Sequence, residues 1–226
     1  MTTFIPLNIS KNQGSPDLPP LRRSSAKARA VQLGERREPL EDEARFLRSW
    51  FERPLVTGAV TPSGKMLART MASYVDPRLD GPVIELGPGT GPVTEALIRR
   101  GLPVERLILV EFNPDFCRLL AKRFPGVRVV RGDAYDIRRT LGPLLEAPAA
   151  ATISSLPLFT KPLEQRLDLL NAAHDIMQPS APFVQFTYAV VPPIPARCEA
   201  GSYTTDRSNR VWLNLPPARV WVYRRP

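Results

Sequence analysis

Apolar and polar positions change period repeatedly along the chain, and the changes divide it into short strands and amphipathic helices. Pro82–Leu86, Arg106–Glu111, Val127–Arg131, Ala149–Ser154 and Pro182–Ala189 are compact apolar runs, the pattern of strands buried on both faces. Between them Pro92–Arg100, Pro114–Phe124, Ile137–Leu145 and Lys161–Met177 place apolar residues at helical spacing, as does Gly64–Tyr74 ahead of the first strand. Strands alternating with helices predict an α/β domain: a parallel sheet with helices on both faces. The pattern shifts at the end, where Asn209–Leu215 and Ala218–Arg224 are β-rich runs joined by Pro216-Pro217. This predicts an antiparallel hairpin closing the sheet. After the fifth strand, Val191-Pro192-Pro193-Ile194-Pro195 excludes a helix and predicts a stiff apolar loop.

Ahead of the domain (residues 55–226) the pattern predicts two further segments. Over 39–54 an amphipathic helix aligns Leu40, Ala44, Leu47 and Phe51 on one stripe, flanked by Phe46 and Trp50, with Glu41, Arg45, Arg48, Ser49 and Glu52 opposite. Pro54 ends it. So bulky a face either packs on the domain or lies in a lipid interface, where aromatic rings partition well. Residues 1–38 have scattered prolines and no sustained periodicity, which predicts a disordered tail. Within it, over Leu21–Arg37, Arg22, Arg23, Lys27, Arg29, Arg36 and Arg37 face one acid, Glu35. The basic tail either aids solubility or tethers the chain to a polyanion.

Charge changes the picture by naming a class of partner. Lys+Arg 31 against Asp+Glu 22 gives a net charge of +9 over 226 residues. A pI near 10.1 attracts the chain to polyanions, either nucleic acid or an anionic membrane surface. The two cysteines, Cys117 and Cys198, lie far apart and indicate neither a disulfide framework nor a zinc site, so no metal is expected. No run approaches the roughly 18 apolar residues of a membrane span, and Met1–Ser10 lacks the features of a signal peptide. The expectation is a cytoplasmic protein.

Candidate chemistry concentrates where the first strand ends, in Glu85-Leu86-Gly87-Pro88-Gly89-Thr90-Gly91. Glycines here allow positive φ and close approach of a ligand to the backbone. Glu111, at the tip of the second strand roughly 20 residues past the glycines, is placed to accept hydrogen bonds from ribose hydroxyls. Asp133, after the third strand, is suited to an adenine amino group. These three strand ends indicate a nucleoside ligand. A dinucleotide loop spaces its glycines as Gly-x-Gly-x-x-Gly and binds a pyrophosphate, which a carboxylate at Glu85 would repel. Gly-x-Gly-x-Gly with an acid two residues before it instead resembles motif I of class I S-adenosylmethionine-dependent methyltransferases. A carboxylate there suits a sulfonium ligand that carries an ammonium group.

The fourth strand ends in Ser154-Ser155-Leu156-Pro157-Leu158-Phe159. Methyltransferases acting on nucleobase amines carry an amide or acid followed by a stacking aromatic at this place. Here Ser155 and Leu158 stand instead, so stacking of a flipped base is poorly supported and no nucleic-acid partner is expected. An RNA adenine N6-dimethyltransferase is the alternative reading; the absence of a further C-terminal helical domain also speaks against it.

Further motifs carry a more specific resemblance. Phe46, Trp50, Pro54, Gly58-Ala59-Val60-Thr61-Pro62-Ser63, the glycine loop, Ser155-Leu156-Pro157-Leu158, Gln185-Phe186-Thr187-Tyr188 and Asn214-Leu215-Pro216-Pro217-Ala218-Arg219-Val220-Trp221 together resemble the soluble bacterial phosphatidylethanolamine N-methyltransferases. That resemblance covers about residues 40–226. It implies a Rossmann-like class I methyltransferase fold with a seven-stranded, mostly parallel sheet, a C-terminal antiparallel hairpin and an N-terminal amphipathic helix that docks on the bilayer. The implied activity is stepwise methylation of the phosphatidylethanolamine amine to phosphatidylcholine, with S-adenosylmethionine as cofactor, by an enzyme bound peripherally to the inner face of the cytoplasmic membrane. Carried over, Gly87, Gly89 and Gly91 line the methionine and ribose portions, Glu85 helps hold the methionine, Glu111 the ribose, and Asp133 with the Ala134 amide the adenine. Val60, Thr61 and Ser63 close over the cofactor, and Phe46, Trp50 and Phe51 face the membrane.

Tyr188 is the candidate for orienting the amine, unless it is simply a core or rim tyrosine, and Ser155 borders the transferred methyl. Arg219 is the candidate for the lipid phosphate. The single histidine, His174, falls inside a predicted helix and reads as solvated rather than catalytic. Nothing in the sequence fixes the oligomeric state.

Overall fold

A computed structural model describes residues 62–195, 197–198, 201–212, 214 and 216–226. The tail and the amphipathic helix, with Phe46, Trp50, Phe51, Val60 and Thr61, lie outside the described residues, as does the start of the domain. The first helix is α1 (Pro62–Ala72), followed by β1 (Val83–Leu86), α2 (Pro92–Arg99), β2 (Leu107–Glu111), α3 (Pro114–Arg123) and β3 (Arg128–Arg131). Then come α4 (Ile137–Leu141), β4 (Ala151–Ser154), α5 (Leu163–Asp175), β5 (Phe183–Thr187), the two-residue strands β6 (Arg197–Cys198) and β7 (Gly201–Ser202), β8 (Thr204–Arg207) and β9 (Arg219–Arg224). Seven of the strands form one sheet in the order β3-β2-β1-β4-β5-β9-β8, and β6 pairs with β7 apart from it.

The first five strands are parallel and β9 is antiparallel to both neighbours, so the sheet is the mostly parallel one expected, closed by a hairpin. Strands β1, β2, β4 and β5 are buried at every residue, because helices cover both faces. Alternation then sorts their side chains. Val83, Ala151, Ile153, Val184 and Phe186 pack with Leu67, Met71 and Leu97 on the α1–α2 face. Ile84, Leu86, Ile108 and Phe183 pack with Ile137, Leu169 and Leu170 on the α4–α5 face.

Four element boundaries differ from the sequence reading. The hairpin partner of β9 is Thr204–Arg207, in register Thr204↔Arg224 to Arg207↔Trp221, and not the run 209–215. Among the described residues of that run only Val211 makes a ladder contact, an isolated bridge to Ala218, because Pro216 and Pro217 have no N–H to extend the pairing. Helix α4 stops at Leu141 and tightens into a 3-10 turn over Gly142–Leu144, since Pro143 cannot donate to a further α-helical turn. Helix α5 starts at Leu163, after Pro162 and a separate turn Leu158–Thr160. Helix α1 begins at Pro62, two residues before the predicted start at Gly64, so Ser63 falls in its first turn.

Candidate active site

Parallel pairing brings the C-terminal ends of β1 to β5 to one sheet edge. Pairing of Thr187 with Arg219 brings the start of β9 there too. Read across the sheet, Asp133, Glu111, Gly87, Ser155, Tyr188 and Arg219 stand in that order at the tips of β3, β2, β1, β4, β5 and β9. With strands about 4.8 Å apart the row is about 24 Å long. Strand order reverses between β1 and β4, and such a switch point opens a crevice at the strand ends.

The glycine loop fills the bottom of that crevice. Gly87, Gly89 and Gly91 have φ of 66°, 58° and 84°, a region costly for any residue with a Cβ. A Cβ on Gly87 would sit 2.9 Å from Leu156 Cδ2, and one on Gly91 would sit 2.4 Å from Phe124 Cε2. Gly87 N–H donates to Val110 O at 2.9 Å and Gly91 N–H to Pro88 O at 2.9 Å, so the loop is a tight turn leading into α2.

Glu85 lies beneath the loop, fully buried. Its Oε2 accepts from Thr94 Oγ1 at 2.7 Å, and its Oε1 is buried without a hydrogen-bond partner. Burial pushes the carboxyl up to about 7, against the opposing hydrogen bond from Thr94. Glu111 is also buried; Oε2 accepts from Gly89 N–H at 3.1 Å and Oε1 from Asn113 N–H at 2.9 Å. A carboxylate offers about four lone-pair sites, so Glu111 ties the loop to β2 and keeps acceptor capacity for a ligand. Asp133 is exposed and caps the turn Ala134–Asp136, accepting from Tyr135 N–H at 2.9 Å, while Ala134 beside it is buried.

At the other end of the row, Ser155 N–H donates to Leu86 O at 2.9 Å, which fastens the buried Ser155 next to Gly87. Buried Gln185 braces the loop from behind through Nε2 to Leu156 O at 3.0 Å. The Leu158 side chain is buried in the α4–α5 core and offers no surface at the crevice. Tyr188 is half-buried, its ring edge-on to Phe186 at 5.5 Å, so one side of it belongs to the core. The Arg219 guanidinium lies 5.9 Å from the Trp221 ring centre, with Nε buried and without a hydrogen-bond partner.

The structure corrects the reading of His174. It lies in the last turn of α5, which leads toward the start of β5 at the opposite end of the sheet. The residue is buried, not solvated, and its ring stacks on Tyr203 at 5.3 Å. Burial first, then the nearby Arg225 charge, lowers it to about 4 and keeps it neutral.

Two residues at the site escaped the sequence reading. Phe112, directly after Glu111 at the tip of β2, is 74% exposed; an aromatic following the strand-tip acid was its only signal. Thr94 shows as a hydroxyl in the otherwise apolar buried face of α2.

No family model matches the chain. It is 33% identical over 151 residues to the ornithine lipid N-methyltransferase of Singulisphaera acidiphila, covering 66% of this chain and 79% of that protein. The chain belongs to the class I S-adenosylmethionine-dependent methyltransferases. A second relative of this methyltransferase, the ribosomal RNA small subunit methyltransferase A of a Synechococcus species, is 36% identical over 92 residues, but they cover only 39% of this chain and 30% of that protein. Among solved structures, the N-methyltransferase NodS from Bradyrhizobium japonicum in complex with S-adenosylhomocysteine matches with a TM-score of 0.57 at 12% identity, over 79% of this chain and 97% of that one. TrmN from Thermus thermophilus matches with a TM-score of 0.52 at 18% identity, over 72% of this chain and about half (49%) of that one. At such identities the two structures establish the fold.

The residues present fit the methyltransferase cofactor. Glu85 Oε1 is an acceptor without a donor, as an ammonium group requires, and carboxylates stand at the next two strand tips. Among the described residues no group of three or more His, Cys, Asp or Glu is arranged to hold a metal ion.

Proposed function

We propose that this methyltransferase acts on a lipid amine, transferring methyl groups from S-adenosylmethionine to phosphatidylethanolamine and its mono- and dimethyl derivatives to give phosphatidylcholine. The observation that carries this reading is Arg219, one strand beyond Tyr188 on the active edge, with a buried guanidinium nitrogen that has no hydrogen-bond partner. A substrate with an amine and an anionic group a few bonds apart complements this end of the row. The lipid phosphate would meet Arg219 while the amine reaches Ser155 and Tyr188. Support also comes from the relative whose name gives a lipid N-methyltransferase. Ornithine lipid offers a carboxylate where phosphatidylethanolamine offers a phosphate, and both anions suit the guanidinium fork.

Glu85 would hold the methionine ammonium of the cofactor, Glu111 the ribose, and Asp133 with the Ala134 amide the adenine, with Val60, Thr61 and Ser63 closing over it. Phe112 would cover the adenine face. When bound, the cofactor supplies an electrophilic methyl on sulfur with its own leaving group. The protein's part is therefore to align the amine with that methyl and exclude water. Ser155 and Tyr188 flank the place where the amine must sit, and a tyrosine ring face also tolerates the successively methylated ammonium products. The amine attacks as the free base, so transfer should speed up as pH rises toward the amine's own range.

In this reading the enzyme is peripheral to the inner face of the cytoplasmic membrane, held by Phe46, Trp50 and Phe51 and by the basic tail. An RNA adenine substrate is the less supported alternative, because Leu158 is turned into the core and provides no stacking ring. The test is methyl transfer from labelled S-adenosylmethionine, with phosphatidylethanolamine vesicles, ornithine-lipid vesicles and unmodified RNA offered in parallel. Label in phosphatidylethanolamine is expected. Label confined to ornithine lipid or to RNA would overturn the substrate while leaving fold and cofactor in place.

A further inference from the structure

Two loops at the Arg219 end of the active edge carry large apolar side chains that the fold leaves uncovered. Val190 and Val191 follow Tyr188 and are 69% and 54% exposed; Trp212, in the connection from β8 to β9, is 71% exposed. Because Thr187 pairs with Arg219, the two loops leave the sheet side by side. Neither is loose. Pro192 and Pro193 stiffen the first, and Arg166 Nη1 donates to Pro193 O at 2.9 Å. The second is closed by Val211 N–H to Ala218 O at 2.8 Å and by Asn214 Nδ2 to Pro216 O at 2.8 Å.

We infer that these two loop tips are the surface on which the enzyme seats against an anionic phospholipid bilayer, so that the mouth beside Tyr188 and Arg219 opens directly onto the headgroup layer. The inference rests on the lipid-amine reading above and names where that substrate is met. Three lines favour a bilayer over a folded protein partner. Trp212 is accompanied by a cation: the Arg210 guanidinium lies 5.6 Å from its ring centre, and Arg207 is exposed at the end of β8. An indole with adjacent arginines matches the chemistry of the headgroup boundary, with rings and valines at the acyl margin and guanidinium groups on phosphates. Three exposed apolar side chains also offer little of the roughly 800 Å² per partner that a stable protein interface needs, whereas a soft medium closes around them. Finally, the tips border the mouth itself, so a seated enzyme receives an amine that never has to leave the membrane.

The experiment uses the full chain in two forms. In the first, Trp50→Phe and Trp221→Phe leave Trp212 as the sole tryptophan, and its emission is followed on adding phosphatidylethanolamine/phosphatidylglycerol vesicles with brominated acyl chains. A blue shift and quenching by about half or more are expected for a ring at the acyl margin. In the second, Trp212→Ser with Val190→Asp is assayed on phosphatidylethanolamine in vesicles and on a short-chain, monomerically dissolved phosphatidylethanolamine. The vesicle rate should fall about ten-fold or more while the dissolved-substrate rate stays within about two-fold, the mark of lost docking with intact chemistry. Unquenched Trp212 in a folded protein, or equal loss on both substrates, would overturn the docking surface. Quenching is read without turnover, so vesicle insertion by a protein that methylates no lipid would sustain the surface and sink the substrate assignment instead.

Discussion

Glu85 is the residue whose environment has the clearest consequence. Its carboxyl is protonated in both folded and unfolded chains below about pH 4.5; between there and about 7 the native state keeps a proton that the unfolded chain has released. Native stability without cofactor should therefore fall as pH rises through this window, by about 3 kcal/mol in all. Urea midpoints across pH 5 to 8 would show it, and Glu85→Gln should flatten the profile. The same proton should leave when a cofactor ammonium docks near pH 6. Calorimetry in buffers of different ionisation heat would detect its release, and release unchanged in Glu85→Gln would remove Glu85 from the ammonium site. At the adenine end, Asp133→Ala should weaken cofactor binding about ten-fold or more while lowering stability by only about 1 kcal/mol, since the exposed side chain supports only the cap of its own turn. Unchanged affinity in titration calorimetry would reject its adenine role. That acids stand at three successive strand ends was legible from their spacing; that Thr94 partners Glu85 was not, because the contact depends on how α2 lies over β1.

Elements, in turn, succeed or fail by their turns. The passage from β1 to α2 works because Gly91 takes φ of 84° as the helix cap and lets Leu120 and Phe124 of the α3 region press against it. Gly91→Ala combines left-handed strain with a clash and should cost about 3 kcal/mol or more; a denaturation midpoint near that of the parent would show that α3 gives way easily. The hairpin was legible in kind and misplaced in detail. Residues 209–215 look β-rich, yet the strand forms from Thr204–Arg207, whose register lets Tyr203 reach the His174 ring on α5. No local pattern encodes that contact. It also fixes a pH response: buried, neutral His174 contributes stability that is present above pH 6.5 and lost as pH falls through about 4.

At the scale of the whole molecule, the charge of +9 and the row of sites along one sheet edge bear on each other. If the substrate lies in an anionic bilayer, vesicle binding should weaken steeply between low and physiological salt, because exposed cations are screened within about 8 Å at 0.15 M. Phe46, Trp50 and Phe51 changed together to Ser should weaken vesicle pelleting about ten-fold or more and leave cofactor binding intact. Pelleting at the parent level would assign the whole anchor to the tail or to the loop tips at Trp212.

By itself the sequence determined the alternation of strands and helices, the glycine loop, the acids at three successive strand tips and the placing of Ser155 and Leu158 after the fourth strand. Each of these is written in short-range periodicity and in residue chemistry that neighbours along the chain express. Tertiary structure alone decided that the six site positions form one ordered row, that Glu85 has an acceptor without a donor, that Arg219 faces Thr187, and that His174 is buried far from the chemistry. Those facts depend on strand order, on register and on which helix covers which face. They arise from contacts between residues distant in sequence, set by the packing of the whole core and by no single segment.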